Sequence, residues 1–250
     1  LNCFLRNTRY GDMSRFDIVV VGAGPAGLSF ACSLAGSGLK VALVERQPRA
    51  ALVDPVDDGR EIALTHRSQR LMRELGLWPR LADDEIATLS DALVLDGSDA
   101  DGLRFRHEDS GQPQLGWLVP NRAIRRVAFE AMEAAGEATL IDGVRVIGVH
   151  TDADGAEVRL DNGECLQADL IVAADSRFSE TRRAVGIPAT MRDFGKTMLV
   201  CRVRHAREHA QTAWEWFDYG QTLALLPLHD AHTSSVVLTL PHQEALTVQA

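Results

Sequence analysis

The stretch "IVVVGAGPAGLSFA", Ile18 to Ala31, decides the fold: an apolar run passes directly into three spaced glycines. Phe16 to Val21 reads as a buried parallel strand, and a helix is expected from about Ala26 to Gly36. In "GAGPAG" each glycine has a separate job. Gly22 makes the tight exit from the strand, Gly24 lets a pyrophosphate approach the backbone, and Gly27 lets the helix pack close against the strand. The helix start, with Ala26 in its first turn, offers free N–H donors and the positive end of a dipole to phosphates.

The residues that follow strengthen this reading. Lys40 to Glu45 is a second strand, which completes a βαβ unit, and Glu45 lies 23 residues beyond Gly22. An acid about 20 residues after the first glycine is what a dinucleotide fold uses to bind the ribose hydroxyl pair. Arg46 either stacks on adenine or is simply solvated.

Further along, the pattern alternates between helix and strand. Leu64, Leu71, Met72 and Leu75 recur at helical intervals, so residues 62–83 are expected to be helical, with Gly76 as a stop or interruption. From Ser90 the chain reads as strands, "DALVLDG" and "LRFRHED", separated by Asp-Gly and Asp99-Ala100 turns. Asn121 caps a helix expected to run to about Ala135 and close at Gly136. A three-strand meander follows: Val144 to His150, Glu157 to Leu160 and Glu164 to Leu166, turning at Asp154-Gly155 and Asn162-Gly163. "ADLIVAAD", ending at Asp175, reads as a further buried strand, its apolar continuity suiting a parallel sheet covered on both faces. After Gly186-Ile187-Pro188 the pattern is strand throughout. The fold class expected is therefore α/β, Rossmann-like, with a β-rich part inserted.

Composition narrows the function. The 250 residues carry a net charge of −9, with 46% apolar and 24% charged residues, an ordinary soluble balance that argues against nucleic-acid binding. Cys3, Cys32, Cys165 and Cys201 form no CxxC pair, which suggests a reducing compartment and a cytoplasmic location. No apolar run is long and unbroken enough for a membrane span. Residues 1–14 read as a disordered leader, or as upstream translated sequence with Met13 as the natural start. "HAREH", His205 to His209, matches the H-x-x-E-H zinc signature. The preceding "TMLVCRVR" reads as strand and no third ligand is in place, so no metal is expected.

The runs "VVVGAGPAGLSFACSLAGSGLKVALVER", "GREIALTHRSQRLMRELGLW" and "LIVAADSRFSETRR" resemble the FAD-dependent aromatic hydroxylases, closest to those of ubiquinone biosynthesis. "FDYGQTLALLPLHDAHTSSVVLTLP" is similar to their substrate-domain sheet. The resemblance implies an FAD-binding part at 15–88 and 118–186 and a β-rich substrate part at 89–117 and 187–250. It gives Gly22, Gly24, Gly27 and Glu45 to the ADP half of FAD, with Ala26 and Arg46 as further cofactor-binding candidates beside them, and Val144 a backbone contact with adenine. Arg60 matches an arginine on the flavin side, although a surface salt bridge is a fair alternative. Asn121 matches a polar residue near the ribityl chain, although a helix cap serves equally. Asp175, Ser179 and Arg182 match the family's second fingerprint, in which Ser176 replaces the usual glycine. A glycine there implies close backbone approach or positive φ.

The chemistry implied is hydroxylation of an electron-rich aromatic or quinol ring by O₂ at the reduced flavin, with NAD(P)H as co-substrate and no catalytic triad. Trp214, Trp216, Phe217 and Leu223 to Leu228 would cover the flavin and accept the ring, or are sheet core. A quinol leaves open peripheral contact with a membrane or a biosynthetic complex; the oligomeric state is open. A family segment with Gly-Asp or Gly-Asn followed by Ala-Ala-His is not found, so the expectation is a C-terminally incomplete chain that binds FAD weakly. A nucleotide-binding remnant, or another flavoprotein of the same fold such as a reductase or halogenase, stays open.

Overall fold

The computed structural model describes residues 14–98, 101–218 and 220–249. Residues 1–13 of the expected leader and the Asp99-Ala100 turn lie outside the described residues, whereas Ser14, expected to be the last residue of the leader, already pairs as strand with Leu166. The chain divides into two compact units, one of residues up to Asp54 and Ala128–Ala189, the other Pro55–Val127 and Thr190–Ala250. This places residues 55–88 and 118–127 with the β-rich unit, away from the boundaries expected of the sequence.

The first unit is built on a six-stranded sheet. Its strands are β1 (Ser14–Val21), β2 (Val41–Glu45), β8 (Ala138–Asp142), β9 (Val146–Asp152), β10 (Gly155–Leu160) and β11 (Cys165–Ala173), in the order β8-β2-β1-β11-β10-β9. The β8, β2, β1 and β11 strands run parallel, whereas β9, β10 and β11 form an antiparallel meander. Val19, Val20, Ala42 and Leu43 are completely buried, which is why the central strands read as unbroken apolar runs.

Two expectations are corrected here. The third meander strand and "ADLIVAAD" are one strand: the residues from Cys165 pair antiparallel with β10 while those from Leu166 pair parallel with β1. Both edges of the same backbone are bonded, so the polar residues Gln167 and Asp169 do not interrupt it. Nor is β11 covered on both faces, since Leu170 is 51% exposed. Helix α1 (Pro25–Ser33) connects β1 to β2 with proline at its first position and buries Leu28, Ala31 and Cys32. It ends earlier than expected, and Gly36 takes a left-handed φ of +77° beyond it. Among the described residues, the other helices lying wholly within this unit are the short α2 (Arg49–Val53) and α5 (Glu180–Ala184).

The second unit holds two sheets. A three-stranded one, in the order β3-β7-β4, comprises β3 (Glu61–Leu64), β4 (Ala87–Leu89) and β7 (Gly116–Pro120). The larger one, in the order β12-β15-β14-β13-β5-β6, comprises β5 (Asp91–Asp96), β6 (Leu103–Phe105), β12 (Lys196–Arg204), β13 (Thr212–Asp218), β14 (Gln221–Pro227) and β15 (Thr233–Pro241). The helix expected over 62–83 is only α3 (His66–Glu74). Ile62 pairs with Val119 as strand, and Thr65 starts the helix by accepting the Ser68 N–H at 3.2 Å. Gly76, at φ +73°, closes the segment as expected. Helix α4 (Asn121–Ala135) has the expected bounds and contains the division between the units; α6 (His242–Gln249) follows β15.

Two other readings are resolved in this unit. Trp214, Trp216 and Phe217 on β13 are each more than 40% exposed, so they are not sheet core. His205 to His209 follow the end of β12 and form no helix. His205 Nε2 is bonded to Ser234 Oγ at 3.0 Å and His209 Nε2 to the Leu228 carbonyl at 3.0 Å. The helical juxtaposition of two histidines required by the zinc signature does not form.

Candidate functional site

The β1 strand delivers the chain to Gly22, whose φ is +105°. A Cβ there would lie 2.5 Å from the Ala174 carbonyl oxygen, and one at Gly27 would lie 1.9 Å from that of Gly22. Both positions therefore require glycine. Gly24 differs: its φ is −75° and a Cβ would meet nothing within 4 Å. The open space beside its backbone is a cradle that a side chain would fill. Gly24 is also the N-cap of α1 and supplies no side-chain acceptor, so the Ala26 and Gly27 amides lack partners within the helix.

Glu45, at the end of β2, turns back towards this loop. Its Oε2 accepts the Ala23 N–H at 2.7 Å, and Oε1 accepts the Gln47 N–H at 2.9 Å. Each oxygen retains a further lone pair for a hydroxyl donor. A cleft of about 320 Å³ opens beside these groups, lined by Gly22, Glu45, Arg46, Val144, Asp175 and Ser176, with Arg145, Phe178 and Arg183 also on its walls.

Asp175 lines the cleft and is held there by several donors. Burial on its own would push the carboxyl up, but bonds from the Ser179 hydroxyl and from the Thr181 amide and hydroxyl outweigh it and hold the group below the usual carboxylate range. These donors leave Oδ1 buried and, among the described residues, without a hydrogen-bond partner. The neighbouring Ser176 has φ +131°, a conformation suited to glycine, and its hydroxyl accepts the Phe178 N–H at 3.1 Å.

Ser179 lies just beyond the lining, where its hydroxyl caps α5 by accepting the Arg182 N–H at 2.8 Å. The Arg182 guanidinium donates to the Ile187 carbonyl at 2.8 Å and does not line the cleft. Arg183 lines it instead, a substitution of neighbours that a one-residue shift along a short helix makes invisible to sequence reading.

Arg60 and Asn121 belong to the second unit, where Asp58 joins them. The Arg60 guanidinium donates to Asp58 Oδ2 at 2.6 and 3.0 Å, and the Asn121 amide donates to the same oxygen at 2.8 Å. Burial opposes ionisation of Asp58, but these bonds outweigh it and lower its pKa. Asn121 is buried, and its side chain is committed to Asp58. The signal available was local: "DDGR" places Asp58 two residues before Arg60.

A parallel βαβ crossover, two obligatory glycines, open helix amides and an acid ending the second strand define a nucleotide-binding α/β protein. The family described as FAD binding domain matches residues 15–247, and the chain belongs to that family. It is 47% identical to the ubiquinone hydroxylase UbiM of Neisseria meningitidis, over 93% of this chain and 51% of the relative. It is 32% identical to the ubiquinone hydroxylase UbiL of Rhodospirillum rubrum, over 89% of this chain and 51% of that one. The chain thus spans about half the length of these curated relatives. The structure of Pseudomonas aeruginosa PqsL in complex with 2-aminobenzoylacetate shares the fold, with a TM-score of 0.77 at 22% identity over 94% of this chain and 63% of that chain. The fold is thus the Rossmann-like FAD-binding architecture with an inserted β-sheet part.

Proposed function

We propose that this chain serves an FAD-dependent monooxygenase that hydroxylates an aromatic or quinol ring with O₂ and NAD(P)H, in ubiquinone biosynthesis. The observation that carries the reading is the open space at Gly24, the N-cap of α1, together with the buried Asp175 Oδ1, which has no partner among the described residues. A dinucleotide has both complements: phosphates for the helix amides and sugar hydroxyls for the carboxylates. The names of the relatives supply the substrate class, and this chain is 47% and 32% identical to two ubiquinone hydroxylases.

The residues divide the work as follows. Gly22, Gly24, Ala26 and Gly27 present main-chain amides to the pyrophosphate, and Glu45 accepts from the adenosine ribose. Arg46 and the backbone at Val144 border adenine. Asp175, fixed by Ser179 and with Arg182 closing the same short helix, accepts a cofactor hydroxyl. Arg60 and Asn121 act on the flavin half, both oriented by Asp58. FAD, when bound, supplies hydride acceptance and the activation of O₂. The protein's share is to place the ring and exclude water. A quinol substrate brings peripheral contact with a membrane or a biosynthetic complex; among the described residues no helix is long and apolar enough to cross a membrane.

The test is incubation of the full-length protein with FAD, NADPH, ¹⁸O₂ and a methoxy-substituted phenol. The reading expects one labelled oxygen atom in the ring product. NADPH oxidation that yields only peroxide or reduced acceptor, with no labelled product, contradicts it.

A further inference from the structure

Phe178 lies in the loop between β11 and α5 and lines the cleft of the first unit, yet it is 55% exposed. A single exposed aromatic is ordinary on a protein surface, but this one is held in place. Its N–H donates to the Ser176 hydroxyl at 3.1 Å, and the Ser179 N–H donates to the Ser176 carbonyl at 3.1 Å. Ser176 keeps a φ of +131°, a strain that a loop free to relax would shed. The Arg177 guanidinium lies over the phenylalanine ring, 4.6 Å from its centroid. One aromatic face is therefore covered by a cation, and the other is left for a planar group.

The remaining walls suit a flat, uncharged base. Val144 and Val146 line the same cleft and pack against the core of the sheet, so Phe178 is joined there by further apolar surface. Arg46, Arg145 and Arg183 are matched in the lining by Glu45, Asp175 and Glu180, a balance that favours neither an anion nor a cation. Glu45, anchored by the Ala23 and Gln47 amides, takes the ribose, and the base attached to that sugar enters between these walls. A phenyl ring covers more of a two-ring purine than of a one-ring pyrimidine, and stacking strengthens with the surface covered.

We infer that Phe178 stacks on the adenine of the cofactor and makes the cleft prefer a purine to a pyrimidine nucleotide. Arg177 braces the far face of the ring, and Ser176 fixes the backbone that carries it. The inference rests on the proposed function, to which it adds the side chain that reads the base.

The test is calorimetric titration of the full-length protein, stripped of flavin, with ADP and CDP as probes. ADP binds about tenfold more tightly than CDP. Phe178→Ala weakens ADP by about tenfold and CDP by less than about threefold, so the purine preference shrinks to about threefold or less. Phe178→Tyr retains the affinity for ADP, which separates loss of an aromatic face from disturbance of the loop. Phe178→Trp retains it too, and ADP quenches the emission of the added indole. A preference for ADP over CDP unchanged in Phe178→Ala, or an added indole whose emission saturating ADP leaves unaltered, overturns the inference alone. Wild-type protein that fails to bind ADP overturns the proposed function along with it.

Discussion

At the scale of single residues, the three glycines of the opening loop separate folding from binding. A methyl group at Gly27 would lie 1.9 Å from a backbone oxygen, an overlap that neighbouring side chains cannot relieve by moving. Gly27→Ala is expected to lose about 3 kcal/mol or more of stability, read by urea denaturation. Gly24→Ala meets no atom within 4 Å and should leave stability within about 0.5 kcal/mol, while blocking the approach of the pyrophosphate and abolishing ADP binding. Ser176 runs the other way. Its φ of +131° is strained for a residue with a Cβ, at a cost of about 1–3 kcal/mol, and its local hydroxyl bond offsets about 1 kcal/mol. Ser176→Gly should therefore stabilise the protein by about 1 kcal/mol, raising Tm by about 2–4 °C in a thermal melt. This much was legible in the sequence. Glycine's roles follow from local geometry, and the fingerprint marked Ser176 as the position where glycine is usual. The unpaired oxygen of Asp175 was not legible, because it depends on donors from Ser179 and Thr181 arriving on the other side of the carboxylate.

At the scale of elements, α5 shows how a five-residue helix positions a binding group. Ser179 both caps the helix and donates to Asp175. Ser179→Ala is expected to cost about 1 kcal/mol in stability and to weaken ADP binding as well, since Asp175 loses its orientation; denaturation and calorimetry read the two effects separately. The elements misread from sequence share a cause. Leu64, Leu71, Met72 and Leu75 fit a helical period, but Ile62 to Leu64 pair with β7 and Thr65 begins the helix afresh. Likewise β11 looked like two strands because the polar Gln167 falls between Leu166 and the apolar run that begins at Ala168. In both places pairing with distant strands outweighs local periodicity, and a single sequence carries no record of that pairing.

For the whole molecule, the carboxylates divide into two groups by sign. Asp58 and Asp175 titrate below their ordinary values in the fold. Their contribution is therefore complete above the unfolded carboxylate value and is lost as pH falls through the lowered ones. Glu61 titrates above its ordinary value, so the fold favours its protonated form and its contribution declines as pH rises through that raised value. Denaturation followed from about pH 7 down to pH 2 should show the acid-side loss shrink in Asp58→Asn and in Asp175→Asn. An acid limb unchanged in both variants would contradict these assignments. The Asp58–Arg60–Asn121 node shows where sequence reading stops: Arg60 and Asn121 were legible singly, but 63 residues separate Asp58 from Asn121, and only the folded second unit joins them.

The central claim is that the Gly22–Gly27 loop, Glu45 and Asp175 together form a dinucleotide site. The most direct measurement is an amide ¹H–¹⁵N NMR titration of this chain with ADP. The account predicts shifts concentrated at residues 22–28, 45–46, 144–145 and 175–181, and their loss in Gly24→Ala. Saturating ADP that leaves those amides unmoved, or that moves a different surface, would contradict it.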